Sequence, residues 1–94
     1  MINIDILING KITGVCVVID SISDFNTKDI KNKIIVIKKI TLDILPNFYD
    51  VKGIIVEEGT LLSHVSIFIR EIGVPMVKIE DALKKYKDND IVSL

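Results

Sequence analysis

The chain has 94 residues with 12 basic and 13 acidic side chains, a formal net charge of −1; this allows one modest core and argues against a surface built to track nucleic-acid phosphates. Apolar residues make up 49% of the sequence but aromatics only 5%, so the core is expected to be aliphatic and, through its many isoleucines and valines, rich in strands. A single cysteine, Cys16, excludes an internal disulfide and reads as a buried thiol in a reducing cytoplasm, while no apolar run is long enough to cross a bilayer and the start lacks the features of a signal peptide.

In chain order, "INIDILI" places Ile2, Ile4, Ile6 and Ile8 on one face with a period of two, which predicts a strand. Asn9-Gly10 is a turn signal, and "KITGVCVVI" reads as a second strand, so a hairpin is expected at the front of the molecule. Residues 20–32 are polar and turn-rich and predict a loop with room for one short helical turn. "KIIVIK" has the continuous apolar pattern of a strand covered on both faces. Thr41 is a candidate cap for a short helix in "TLDILPNFYDV", with Pro46 confined to its first turn or ending a separate piece. "GIIV" predicts a strand, residues 64–72 a helix, "PMVKI" a strand, "EDALKKYKD" a helix and "DIVSL" a last short strand. Strands alternating with short helices imply an α/β domain with an at least partly parallel sheet, here expected to be one compact domain over residues 1–94.

The helix at 64–72 opens with the only histidine of the chain, in "GTLLSHVSIFIREIGVP". Ser63 is of the type favoured to cap a helix, and Val65, Phe68, Ile69 and Ile72 form a stripe by their spacing. Gly73 suits the position after the last turn and Pro75 prevents continuation. His64 thus falls at the first helical position, where unpaired backbone N–H groups and the positive end of the helix dipole favour an anion by about 0.3–1 kcal/mol when exposed. The same field favours the neutral, nucleophilic ring, and a phosphoryl group accepted there would meet aligned donors. Spacing alone leaves a capping or surface histidine equally open.

The string "GIIVEEGTLLSHVSIFIREIGVPMV" resembles the phosphohistidine segment of the mobile, or swivelling, domain of phosphoenolpyruvate-utilising enzymes, a family that includes pyruvate phosphate dikinase, phosphoenolpyruvate synthase and rifampin phosphotransferase. The resemblance is carried by the apolar strand at 53–56, Glu57, Gly59, the pair Ser63-His64, Arg70-Glu71, Gly73 and Pro75. More loosely it extends over the chain, through Gly10 and Gly14 in the opening segment and "KDNDIVSL" at the close. It implies the swivelling β/β/α phosphohistidine fold, with His64 transiently phosphorylated and Gly59, Thr60 and Ser63 supporting the phosphate. It also implies that the phosphoryl group travels between an ATP-grasp-type nucleotide-binding domain and a domain or protein that binds phosphoenolpyruvate (PEP). Mg and ATP or PEP would be held only by those partners, with no cofactor on this domain.

Three departures bear on that role. Thr60 stands where the family has a second glycine, and Leu62 where the dikinases have threonine, as in the branch of rifampin phosphotransferase. Leu94 comes sooner than the usual closing hairpin. No nucleotide or PEP lobe is present, so a non-catalytic interaction or regulatory module that retains the fold is the alternative. The start at Met1 without a flanking linker leans toward a free-standing module over a piece of a longer enzyme. Glu57 and Glu58 read as solvated carboxylates ending a strand, and Arg70, about 9 Å along the helix from His64, as one half of a structural ion pair. Lys84, Lys85 and Lys87 close a helix that Glu80 and Asp81 begin, as the dipole prefers. One histidine and one cysteine, 48 positions apart, predict no metal site.

Overall fold

The computed structural model of the protein describes residues 4–58 and 63–94. Six strands form one mixed sheet: β1 (Ile4–Ile8), β2 (Thr13–Ile19), β3 (Ile34–Ile37), β4 (Gly53–Val56), β5 (Met76–Ile79) and β6 (Ile91–Ser93), in the order β1-β5-β4-β3-β2-β6. The inner strands β2, β3, β4 and β5 run parallel, and β1 and β6 close the two edges antiparallel to β5 and β2. This is the α/β fold class that the sequence predicts, with a partly parallel sheet and short helices.

The continuous apolar runs are explained by burial on both sides. All four residues of β3 and of β4 are buried. Their alternation sends Ile35, Ile37, Ile54 and Val56 to one face and Ile34, Val36 and Ile55 to the other. The first face is covered by helix α2 (Ser63–Glu71) and a 3₁₀ segment, Leu42–Phe48; the second is covered in part by the one-turn helix α3 (Ala82–Lys85) and by Val92 of β6. A further single turn, α1 (Asp24–Thr27), follows β2 inside the polar stretch and lays Phe25 edge-on against Phe48, with ring centroids 5.8 Å apart.

The front hairpin does not form. β1 leaves β2 and pairs with β5, Ile4 opposite Ile79 and Ile6 opposite Val77. Two non-local facts override the Asn9-Gly10 turn signal. The first residues of β2, Thr13 to Val15, where a hairpin partner would begin to pair, are taken by β6, and Cys16 to Ile19 pair with β3. Gly10, with φ 153°, lies so close to Pro75 that the chain is led past the start of β5. As an edge strand β1 keeps only part of its apolar face covered: Ile8 is buried, while Ile4 and Ile6 are 43% and 66% exposed.

Two smaller expectations change as well. The segment around Thr41 is a 3₁₀ helix with Pro46 inside it, and the Thr41 hydroxyl donates to the Asp43 carboxylate instead of capping a backbone N–H. The helix foreseen over "EDALKKYKD" shrinks to four residues, because Asp81 takes a left-handed backbone (φ 58°) just before it and Tyr86 is extended just after. Cys16 is buried as expected; burial pushes its thiol pKa up, and the thiol donates to the carbonyl of Lys87 at 3.1 Å.

β6 is shorter than β2, and side chains complete the unpaired length of β2. Cys16 exchanges backbone bonds with Asp90 and Asn89 at 2.9 Å each. Beyond them the N–H of Val18 donates to Asp88 Oδ1 at 2.7 Å, and Lys28 Nζ donates both to the Val18 carbonyl and to Asp88 Oδ2, each at 2.8 Å. A lysine and an aspartate 60 positions apart thereby replace a strand at this edge. The lysine hydrogen bond and, after it, the Val18 N–H hold the Asp88 carboxyl below the usual carboxylate pKa. A group depressed in the folded state stabilises above its unfolded pKa, near 3.9, and that contribution is lost as pH falls through the folded value. Asp88→Asn is therefore expected to be less stable than the wild type at pH near 7, by under about 1 kcal/mol for so exposed a pair. The gap should narrow through an acid series below pH ~4; urea melts along that series check it, and a gap that widens in acid would refute the assignment.

Candidate functional site

β4 delivers the chain to the site. Its last residues continue the parallel pairing past the strand end, with the N–H of Glu57 donating to the Ile37 carbonyl at 2.9 Å and that of Glu58 to the Lys38 carbonyl at 2.8 Å. Glu57 is half-buried and Glu58 exposed, as solvated carboxylates at a strand end should be. The next described element is α2, which starts at Ser63, one residue ahead of the sequence-based limits at each end. His64 is its second residue and is exposed.

The helix is held by the stripe read from its spacing. Val65 and Ile69 are fully buried, and Phe68 and Ile72 are half-buried against the same core. Phe68 also meets Tyr49 edge-on at 5.4 Å, which ties α2 to the end of the 3₁₀ segment. At the far end Gly73 takes φ 75°, its N–H donates to the Arg70 carbonyl at 3.1 Å, and the N–H of Val74 donates to the Ile69 carbonyl at 3.3 Å. This pair of bonds is the Schellman arrangement, which ends the helix before Pro75. With one face fixed in the core, the opposite face, with His64, Ile67 (54% exposed) and Glu71, looks outward.

Of the predicted site residues, Gly59, Thr60 and the side chain of Ser63 lie outside the described residues, as does Leu62. Arg70 is exposed, and neither ion pair among the described residues includes it; the pairs are Lys28–Asp88 and Lys33–Asp29. The structural ion pair expected of Arg70 is thus absent there: at the last turn of α2 it projects away from the core. Lys84 and Lys85 do fall in the last turn of α3, with Lys85 Nζ donating to the Glu80 carbonyl at 2.8 Å. Among the described residues no group of three or more His, Cys, Asp or Glu side chains could hold a metal ion, and no helix is long and apolar enough to cross a membrane.

Lys38 and Lys39 were not singled out by the sequence. The bond from Glu58 N–H to Lys38 O sets them beside the acidic pair that precedes the site. Two adjacent lysines directly after a buried four-residue strand were the available signal.

Similar proteins frame this geometry. A chain of the crystal structure of Thermococcus kodakaraensis aconitase X (holo-form) matches with a TM-score of 0.73 over 98% of this chain and 88% of that one; at 19% identity the likeness is one of fold alone. Pyruvate kinase from Staphylococcus epidermidis is 33% identical over 86 residues, covering 90% of this chain and 15% of the relative. Pyruvate kinase from Staphylococcus aureus is 30% identical with the same coverage, so the chain spans only a small part of these curated relatives. A family model, that of the PEP-utilising enzyme mobile domain, matches residues 29–94, a span that takes in β3, β4, α2 and His64. The chain belongs to the family of PEP-utilising enzyme mobile domains.

Proposed function

We propose that residues 1–94 act as one phosphoryl-carrier domain in which His64 accepts a phosphoryl group from one partner and passes it to another. The observation that carries this reading is the exposed position of His64 at the start of α2 in a chain of this family. A neutral ring nitrogen of His64 attacks the phosphorus of the donor. An N–P bond forms as the P–O bond to the leaving group breaks, and that group departs as the nucleoside diphosphate or as the enolate of pyruvate. Transfer to the acceptor reverses the step. The first amides of α2, which have no partner within the helix, and the positive end of its dipole favour the negative phosphoryl oxygens. Gly59, Thr60 and Ser63 complete the cradle in this reading.

The donor and acceptor sites belong to partners: a nucleotide-binding domain of the ATP-grasp type and a domain or protein that binds PEP, with Mg held there and no cofactor on this chain. The similarity to part of two pyruvate kinases, proteins named for chemistry on pyruvate, supports the PEP side of the exchange. A cytoplasmic setting, where ATP and PEP occur together, goes with it. A second reading, a non-catalytic interaction module, is favoured by Thr60 and Leu62 in the motif.

One experiment separates the two. The protein and its His64→Ala variant are incubated with candidate partners and radiolabelled ATP or PEP. The carrier reading expects label on the wild type that is acid-labile and base-stable, and none on His64→Ala. Label that persists in the variant removes His64 from the role; no label on the wild type with any cognate partner selects the interaction module.

A further inference from the structure

The parallel strands β2, β3 and β4 end together: Ile19 is opposite Ile37, and Ile37 opposite Val56. In open α/β sheets ligands bind beyond such carboxyl ends. Beyond β2 and β3 lies an open pocket of 220 Å³, walled by Ile19, Ile22, Phe25, Ile37 and Ile44. A cavity of about 150 Å³ with similar walls takes a benzene ring, so this one has room for an aromatic ring or a short alkyl chain. Lys38 and Lys39 line it from β3's end, and Asp20 is the one acidic residue among the described lining residues. Among the described residues neither lysine joins an ion pair. The nearby Asp24 carboxylate is already occupied, accepting the N–H groups of Asp20 at 2.9 Å and Ser21 at 3.1 Å, and those bonds hold its pKa down. Ile22, one wall of the pocket, is 64% exposed although it is a large aliphatic residue in a polar segment.

We propose that this pocket binds a small anion with an apolar body, a carboxylate or phosphate monoester bearing a short alkyl or aryl group. The apolar part enters between Phe25 and Ile44, and the charged head stays at the mouth with Lys38 and Lys39. Among the described residues, those lining the pocket come from β2, β3, the segments that follow them and the 3₁₀ segment, and none from α2.

The test is a titration of the protein, carrying isotope-labelled isoleucine methyl groups, followed by nuclear magnetic resonance. Phenylacetate, hexanoate and phenyl phosphate are the probes, with benzyl alcohol as the uncharged comparison. Saturable shifts confined to the methyls of Ile19, Ile22, Ile37 and Ile44 are expected with the anions. Binding should weaken by at least roughly tenfold when Lys38 and Lys39 are both changed to Glu, and vanish in Ile22→Asp, whose exposed site spares the fold. Comparison of phenyl phosphate with phenylacetate shows which head group the lysines prefer. The proposal fails if no probe gives a saturable shift, if the shifts spread over methyls outside the pocket, or if benzyl alcohol binds as well as the anions.

Discussion

Phe48→Ala is expected to destabilise the protein by about 3–5 kcal/mol, the range for a fully buried phenylalanine cut to its Cβ. Phe48 is 0% exposed and stands at the end of the 3₁₀ segment, where its ring meets Phe25 and packs in the core on the face that carries α2. The space it leaves cannot easily close, because the sheet side of that core is formed by residues such as Ile35 and Ile54, both fixed by parallel pairing. Against a total stability of about 5–15 kcal/mol for a domain of ordinary size, a large fraction would be lost. Urea unfolding should show the midpoint falling sharply at an unchanged slope. Phe25→Ala is expected to cost less, since Phe25 is only half-buried. A Phe48→Ala loss smaller than that of Phe25→Ala would mean that the core is centred elsewhere.

The second large effect is expected at Gly10. A Cβ built there would lie 2.7 Å from Pro75 Cβ and 3.2 Å from its Cγ, at a backbone φ of 153°. Gly10→Ala therefore combines backbone strain of about 1–3 kcal/mol with overpacking of about 1–3 kcal/mol. Relief requires β1 to move off β5. Gly73 separates the two terms, because its φ is 75° but nothing lies within 4 Å of a built Cβ. Gly73→Ala should cost only the left-handed backbone penalty, about 1–2 kcal/mol. Amide exchange reads the difference: protection of the β1–β5 pairs should drop in Gly10→Ala and persist in Gly73→Ala. Equal protection in both variants would show that Pro75 yields without disturbing the strand.

The same two regions show how far the sequence speaks for the structure. β3 and β4 were readable because a strand covered on both faces has no polar positions, and α2 because its core stripe and its Gly73–Pro75 ending are local. The hairpin misled because Asn9-Gly10 is also local, whereas the choice between β2 and β5 as partner for β1 depends on which edges the rest of the sheet leaves open. No spacing within residues 2–19 encodes that. At the site, the helix start was legible to within one residue from a single segment, expected at His64 and found at Ser63. The pocket beside Lys38 and Lys39 was not, since its walls come from the ends of two strands, the turn after β2 and the 3₁₀ segment. Ile22 and Phe25, apolar residues in a polar stretch, were the hint in the sequence beside the two lysines.

The strand order also constrains how quickly this molecule can assemble. β1 must find β5, and β2 must find β6, so both pairings join residues far apart in the sequence, Ile4 with Ile79 and Thr13 with Ser93. Closing such long loops is entropically costly before any contact rewards it, and chains dominated by distant partners fold in roughly milliseconds to seconds. A nascent copy on the ribosome could form β3 and β4 early, but its sheet would stay open along the start of β2 until Ile91–Ser93 had emerged.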